Sequence, residues 1–234
     1  MNAMTPPLPR SLSHVTDWVF DLDNTLYPRR CNLFAQVDVL ITNYVMDITR
    51  LDFDAARTLQ KQFYREFGTT LNGLMHKHEV DPDDFLAKVH AIDYTPVDPH
   101  PELVDAIRAL PGRKFILTNG DANHARSVLK RLGGDDLFEA IFDIRAMTYR
   151  PKPLREAYDG FLSGHGVNPR QAVLFDDLEK NLLVPHQLGM ATVQVLAGPD
   201  YAHEQVESWE LERALGEHVH HATDDLAGFL RALP

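Results

Sequence analysis

Cysteine is almost absent from this sequence: Cys31 stands alone among 234 residues. A lone thiol excludes an internal disulfide and any Cys-rich zinc pattern, and it suits a reducing compartment. Cys31 itself reads as a small loop or core residue. No apolar run reaches transmembrane length. Residues 1–14 are proline-rich and polar, without the apolar stretch of a secretory leader. The chain is therefore expected in the cytoplasm, with no membrane partner. Basic side chains are in the minority, 23 against 34 acidic ones for a net charge of -11, and no basic run is present. Such a surface repels a long phosphate backbone, so a nucleic-acid polymer is not an expected partner. A small anion stays compatible, because a metal ion and one or two cations can reverse the sign inside a pocket. Internal repeats and low-complexity segments are lacking too.

What is present, 44% hydrophobic residues over this length, suffices for one large domain or for a core with a smaller second domain. Residues 15–20 are apolar and β-rich, consistent with a buried strand, and end abruptly in the polar run Asp21-Leu22-Asp23-Asn24-Thr25. From about 32 to 90 the pattern is helical. Asp52 stands at an N-cap position and Gly68 at a stop, while Asp81-Pro82 offers a second cap followed by proline at the first helical position. Pro96, Pro99 and Pro101 then mark a hinge or linker.

Beyond them helices and strands alternate. Helices are expected over 102–110, 122–132, 154–165 and 178–188, with strands over 114–117, 141–144, 172–175 and 191–195. A further helix is expected over 204–215, packed on the core or on a partner subunit. Alternation of this kind argues for a mostly parallel sheet covered on both faces. The fold expectation is an α/β core, residues 14–29 and 97–234, interrupted by an all-helical insertion over 30–96.

Ligands of open parallel sheets sit outside the carboxyl ends of the strands. Those ends carry Asp21 and Asp23 after the first strand, Thr118-Asn119-Gly120 after the strand at 114–117, and Asp176-Asp177 after the strand at 172–175. Crowded carboxylates raise each other's pKa. A hard divalent cation relieves the crowding, and magnesium takes one or two carboxylates while bridging to substrate phosphate. The plainer alternative is that each acid is a helix N-cap just after a strand.

Four motifs in order give the pattern its specificity. The strand ending in DxDxT at 21–25 resembles the first motif of the haloacid dehalogenase (HAD) superfamily. Ile116-Leu117-Thr118-Asn119-Gly120 resembles the second, Lys152 between Pro151 and Pro153 the third, and Asp176-Asp177 the fourth; together they span about 15–195. The resemblance implies a Rossmann-like core with an inserted C1-type helical cap, and a magnesium-dependent phosphatase. It makes Asp21 the nucleophile and Asp23 the general acid and base. Thr118, Asn119 and Gly120 would bind the phosphoryl group, with Lys152 as a point charge beside it. Asp21, the Asp23 backbone carbonyl and Asp176 would hold the metal, with Asp177 and Asn181 ordering that loop from behind.

The segment 63–81, with Leu26-Tyr27-Pro28 and 149–153, is similar to pyrimidine 5'-nucleotidases. It implies a nucleoside monophosphate such as UMP or CMP as substrate and makes Thr69, Thr70, Asn72 and His76 candidate base or ribose contacts. A helix-capping turn around Gly68 and Gly73 explains the same residues structurally. Leu178 departs from the small polar residue expected after the acidic pair. Lys152 taken alone reads as a turn residue, and Thr25 as a loop-ordering one. His76, His78, His218, His220 and His221 read as solvated or packing side chains. The rival functions are a HAD phosphatase or mutase acting on a sugar phosphate or other small phosphorylated metabolite, a receiver-like phospho-acceptor module, and a catalytically silent binding protein on the same fold.

Overall fold

The computed structural model describes residues 11–198 and 216–233. The chain forms two compact units: one from the residues through Cys31 and from Val97 onward, the other Asn32–Pro96. The helix expected over 204–215 lies outside the described residues.

The larger unit is built on a parallel sheet. Its strands are β1 (Asp17–Phe20), β2 (Arg113–Leu117), β3 (Ala140–Phe142), β4 (Ala172–Asp176), β5 (Ala191–Val195) and β6 (His221–Thr223), in the order β3-β2-β1-β4-β5-β6. Every pairing is parallel, as the alternating sequence pattern requires. β1, β4 and β5 are buried throughout, which is why β1 and β4 read as largely apolar runs, whereas β5 alternates and buries Thr192 and Gln194. Side chains of opposite parity supply the two faces. Val19, Phe115, Leu117 and Leu174 pack with Tyr158 and Phe161 of α7 (Arg155–His165). On the other side Phe20 stacks on Phe175 at 4.6 Å, and Phe175 meets Phe229 of α9 (Leu226–Arg231) edge-on.

Helix α5 (Pro101–Ala109) begins on a proline at its first turn, and α6 (Ala122–Leu132) is capped by Asp121 and stopped by Gly133 in the left-handed region. Two sequence expectations need correction. The helix expected over 178–188 is a short 3-10 turn, Glu179–Asn181, followed by α8 (Leu183–Leu188). The Asp176 carboxylate accepts from Leu178 N and Asn181 Nδ2, which holds that segment as a turn. β3 ends at Phe142, because the Asp143 carboxylate caps the turn that follows by accepting from Ala146 N. The sixth strand and α9 escaped sequence reading, since a three-residue edge strand shows no usable alternation.

The smaller unit consists of α1 (Leu33–Thr49), α2 (Phe53–Phe67), α3 (Thr70–His78) and α4 (Pro82–Val89). Asp52 caps α2 through Ala55 N, Gly68 ends it, and Asp81 caps α4 with Pro82 at its first turn. Inside this unit the buried Asp38 carboxylate meets Arg57 Nη1 at 2.8 Å, Lys61 Nζ at 3.0 Å and Gln60 Nε2 at 2.7 Å.

Candidate active site

The sheet order makes β1 a topological switch point: the chain leaves it toward β2 on one side, and β4 lies on the other. Phe20 is in register with both Ile116 and Phe175, and Asp21 N continues the ladder by donating to Phe175 O at 2.8 Å. Adjacent strands run about 4.8 Å apart, so the residues just past these positions stand side by side. Strand geometry alone thus brings together Asp21, Thr118 and Asp176, residues far apart in the chain.

Asp21, Asp176 and Asp177 are all buried, and one oxygen of each lies within 4.8 Å of the others. Lys152 Nζ donates to Asp21 Oδ1 at 2.8 Å and to Asp176 Oδ2 at 2.6 Å, and Arg29 Nη2 pairs with Asp177 Oδ2 at 2.7 Å. Three buried carboxylates thus share two cations. Burial pushes Asp21 up to about 7; Lys152 pulls against the shift, while Asp176 and Asp23 add to it. Burial also raises Asp177 well above the carboxylate range, with Asp176 and Asp21 adding repulsion. Lys152 lies above its ordinary value, because Asp176 and Asp21 outweigh the cost of burying its charge. Such a set fits a hard divalent cation: the donors are carboxylate oxygens, they converge, and their charge is under-compensated.

The loops that present these groups are fixed locally. Asn24 takes a left-handed φ of 60°, which Asn tolerates, and Thr25 Oγ1 donates to Asp21 Oδ2 at 3.2 Å. Before Lys152 the chain holds two successive non-glycine residues, Thr148 and Tyr149, at φ 50° and 59°. Backbone strain of about 1–2 kcal/mol for each is held by Thr148 N donating to Arg145 O and Tyr149 N to Ile144 O. The Asn119 side chain ties β2 to this loop, accepting from Lys152 N at 2.8 Å and donating to Lys152 O at 3.0 Å. Thr118 is fully buried and its hydroxyl accepts from Gly120 N at 3.0 Å. A Cβ on Gly120 would lie 3.3 Å from both Thr118 Oγ1 and His124 Cδ2, so this turn suits glycine. Asn181 supports Asp176 directly, as noted above.

Sequence reading missed three contributors. Arg29 neutralises part of the acidic cluster. Tyr27 donates its hydroxyl to Asp23 Oδ1 at 2.6 Å, and His124 Nε2 lies 2.7 Å from the same oxygen. Burial holds the Tyr27 hydroxyl protonated, its pKa well above ordinary, and Asp23 adds to that. For His124 burial opposes the charged form, but Asp23, Asp121 and Asp21 prevail and raise it. The available signal was positional: His124 sits in the first turn of a helix starting at a strand tip, three residues past its capping Asp121, and Tyr27 lies four residues past Asp23.

The four candidate substrate contacts belong to the helical unit, where three have structural partners. Thr69 caps α3 by accepting from Asn72 N at 3.1 Å, Thr70 Oγ1 donates to Gln60 O at 3.2 Å, and Asn72 Nδ2 donates to Phe67 O at 3.2 Å. His76 is exposed, its ring 5.4 Å from that of Phe67. The C-terminal imidazoles are packed with polar partners: His218 Nε2 lies 2.8 Å from Glu179 Oε1, and His220 Nδ1 accepts from Thr192 N at 3.1 Å. Among the described residues no helix is long and apolar enough to cross a membrane.

Comparison with known proteins agrees with this fold. The fold is similar to L-2-haloacid dehalogenase from Xanthobacter autotrophicus with chloropropionic acid covalently bound (TM-score 0.57, 16% identity, 93% of this chain and 97% of that one). It is similar to a HAD phosphatase from Thermococcus onnurineus (TM-score 0.59, 16% identity, 94% and 98%). HAD-hydrolase YfnB from Bacillus subtilis, bound to magnesium, also matches (TM-score 0.56, 13% identity, 94% and 98%). In sequence the chain is 28% identical over 133 residues to Phosphate metabolism protein 8 of Saccharomyces cerevisiae; the match spans 52% of this chain and 41% of the yeast protein. The haloacid dehalogenase-like hydrolase family model matches residues 19–189. With the strand-tip acids in place and most of its length matched, the chain belongs to the haloacid dehalogenase-like hydrolase family.

Proposed function

We propose that the chain is a magnesium-dependent phosphomonoester hydrolase working through a phospho-aspartyl intermediate on Asp21, with pyrimidine nucleoside 5'-monophosphates such as UMP and CMP as substrates. The observation that carries the chemistry is the convergence of Asp21, Asp176 and Asp177 at the strand tips beside Lys152. Asp23 separates this reading from the dehalogenase one. A halide leaves as a stable anion and needs no proton, whereas an alcohol does.

In the first step a carboxylate oxygen of Asp21 attacks phosphorus, and the bond to the leaving oxygen breaks. That oxygen takes the proton of the Asp23 carboxyl, giving an acyl phosphate and a free alcohol. In the second step the Asp23 carboxylate takes a proton from water as the water oxygen attacks phosphorus. The phosphorus–Asp21 bond breaks, returning the Asp21 carboxylate, inorganic phosphate and a protonated Asp23. Lys152 offsets charge on Asp21, and the Thr118 hydroxyl with the backbone amide of Asn119 would donate to the phosphoryl oxygens, while the Gly120 amide holds the Thr118 hydroxyl in place. Asp21, Asp176 and the Asp23 carbonyl are the groups that would hold magnesium, with Asp177, paired to Arg29, beside them. The ion would supply charge neutralisation to the transferring phosphoryl group.

The substrate class rests on the resemblance of residues 63–81 and 149–153 to pyrimidine 5'-nucleotidases; the name of the yeast relative points to phosphate metabolism. A phosphate-release screen over nucleotides, sugar phosphates and cofactor monophosphates, with and without chelator, tests both parts. UMP and CMP should lead the panel, and chelation should stop turnover until magnesium is restored. Indifference to chelation would reject the metal. UMP and CMP no better than an aryl phosphate would reject the nucleotidase assignment, and a leading sugar phosphate would favour the rival substrate class.

A further inference from the structure

We propose that His124 and Tyr27 are positioning residues for Asp23, clamping its Oδ1 from two directions so that the proton delivered to the leaving group is carried on Oδ2. The inference rests on the phosphatase reading and deepens it. Both donors lie within 2.7 Å of one carboxyl oxygen. The Tyr27 hydroxyl donates to Oδ1, and an ionised carboxylate can only accept, so the imidazole carries its proton on Nε2 whenever Asp23 is ionised. An oxygen already accepting two hydrogen bonds is a poor seat for the acid proton, which leaves Oδ2 to carry it.

The clamp itself is anchored. His124 is almost wholly buried, and its backbone N donates to Asp121 Oδ1 at 2.8 Å, the cap that starts α6. Asp121 is in turn held by Arg145 Nη1 at 3.0 Å, and Ala122 N donates to Asp143 Oδ2 at 3.0 Å. Tyr27 is buried four residues beyond Asp23 on the same loop. The two clamping side chains therefore come from separate parts of the unit, one behind β1 and one behind β2, and meet on a carboxyl that is itself partly exposed. Two rigid donors fix the plane of a group that must first give and then take a proton, whereas a freely rotating carboxyl would present either oxygen.

The test compares leaving groups. Release of the leaving alcohol in the first turnover is followed with magnesium for an alkyl phosphate, whose alkoxide must be protonated, and for 4-nitrophenyl phosphate, whose phenolate departs unaided. His124→Ala and Tyr27→Phe should each lower the alkyl-to-aryl rate ratio by about tenfold or more, part of the 10²–10⁴ that a general acid supplies. His124→Gln, which can place an amide donor near the Nε2 position, should restore most of the ratio. Tyr27→Phe removes one oxygen and keeps the ring, so it reports even if His124→Ala fails to fold. An unchanged ratio in both variants, or equal slowing of both leaving groups, would overturn the clamp while leaving the phosphatase intact. A wild-type protein that hydrolyses no phosphate monoester with magnesium would overturn the proposed function and the clamp with it.

Discussion

Two buried carboxylate clusters, one in each unit, differ in how their charge is balanced. In the helical unit Asp38 alone faces Arg57, Lys61 and Gln60, so two cations and an amide serve one anion. At the strand tips Asp21, Asp176 and Asp177 share Lys152 and Arg29. The first cluster is complete as it stands and gives the helices a polar tie. The second holds more negative charge than its cations offset, and burial lifts Asp21 and Asp177 accordingly. An interior that keeps such an imbalance suits a cation that arrives later, which under the proposed function is the ion that draws in the phosphoryl group.

The contrast makes opposite demands on mutation. Asp21→Asn should cut phosphate release by about 10⁴-fold or more, yet raise the thermal midpoint of the metal-free protein, because it removes one of three crowded charges. Substantial remaining turnover would remove the nucleophile assignment. Lys152→Met should cost about 10²- to 10³-fold in rate and also lower the melting temperature, since Asp21 and Asp176 would lose the cation they share. A stable, fully active variant would show that this lysine is ornamental. In the helical unit the sign reverses. Asp38→Asn should destabilise by about 1–3 kcal/mol in denaturant titration, the usual cost of depriving buried Gln60 and the half-buried Arg57 and Lys61 of their anion; a neutral effect would deny that the cluster is balanced.

A further expected effect is in pH dependence. Asp21 is ordinarily a carboxyl of pKa 3.8 and is lifted to about 7 in the fold. Between those values the folded chain holds a proton that the unfolded chain has released. The stabilisation is therefore full below the ordinary value and lost as pH rises through about 7. Metal-free protein should melt progressively lower over that window, and both Asp21→Asn and saturating magnesium should flatten the trend. A melting profile equally steep in Asp21→Asn would assign the slope elsewhere.

Much of this arrangement is legible in the chain because parallel strands put their functional residues at their carboxyl ends. Asp21, Thr118 and Asp176 each follow an apolar run, and register does the rest. Lys152 was found only through its motif; its place depends on the strained turn at Thr148 and Tyr149, which no periodicity announces. Arg29, Tyr27 and His124 went unseen for a related reason. Their roles depend on which atoms they meet across 148 and 101 residues of chain, in the cases of Arg29 with Asp177 and His124 with Asp23. The candidates Thr69, Thr70 and Asn72 came from the resemblance of 63–81 to pyrimidine 5'-nucleotidases, and caps and turns draw on the same residue types.

The central claim is that Asp21 becomes covalently phosphorylated. The most direct measurement is an acid quench of turnover on a phosphate-labelled substrate, followed by mapping of the labelled peptide. Label should sit on the peptide carrying Asp21 and vanish in Asp21→Asn. Rapid phosphate release with no label at Asp21, or with label on a different residue, would contradict it.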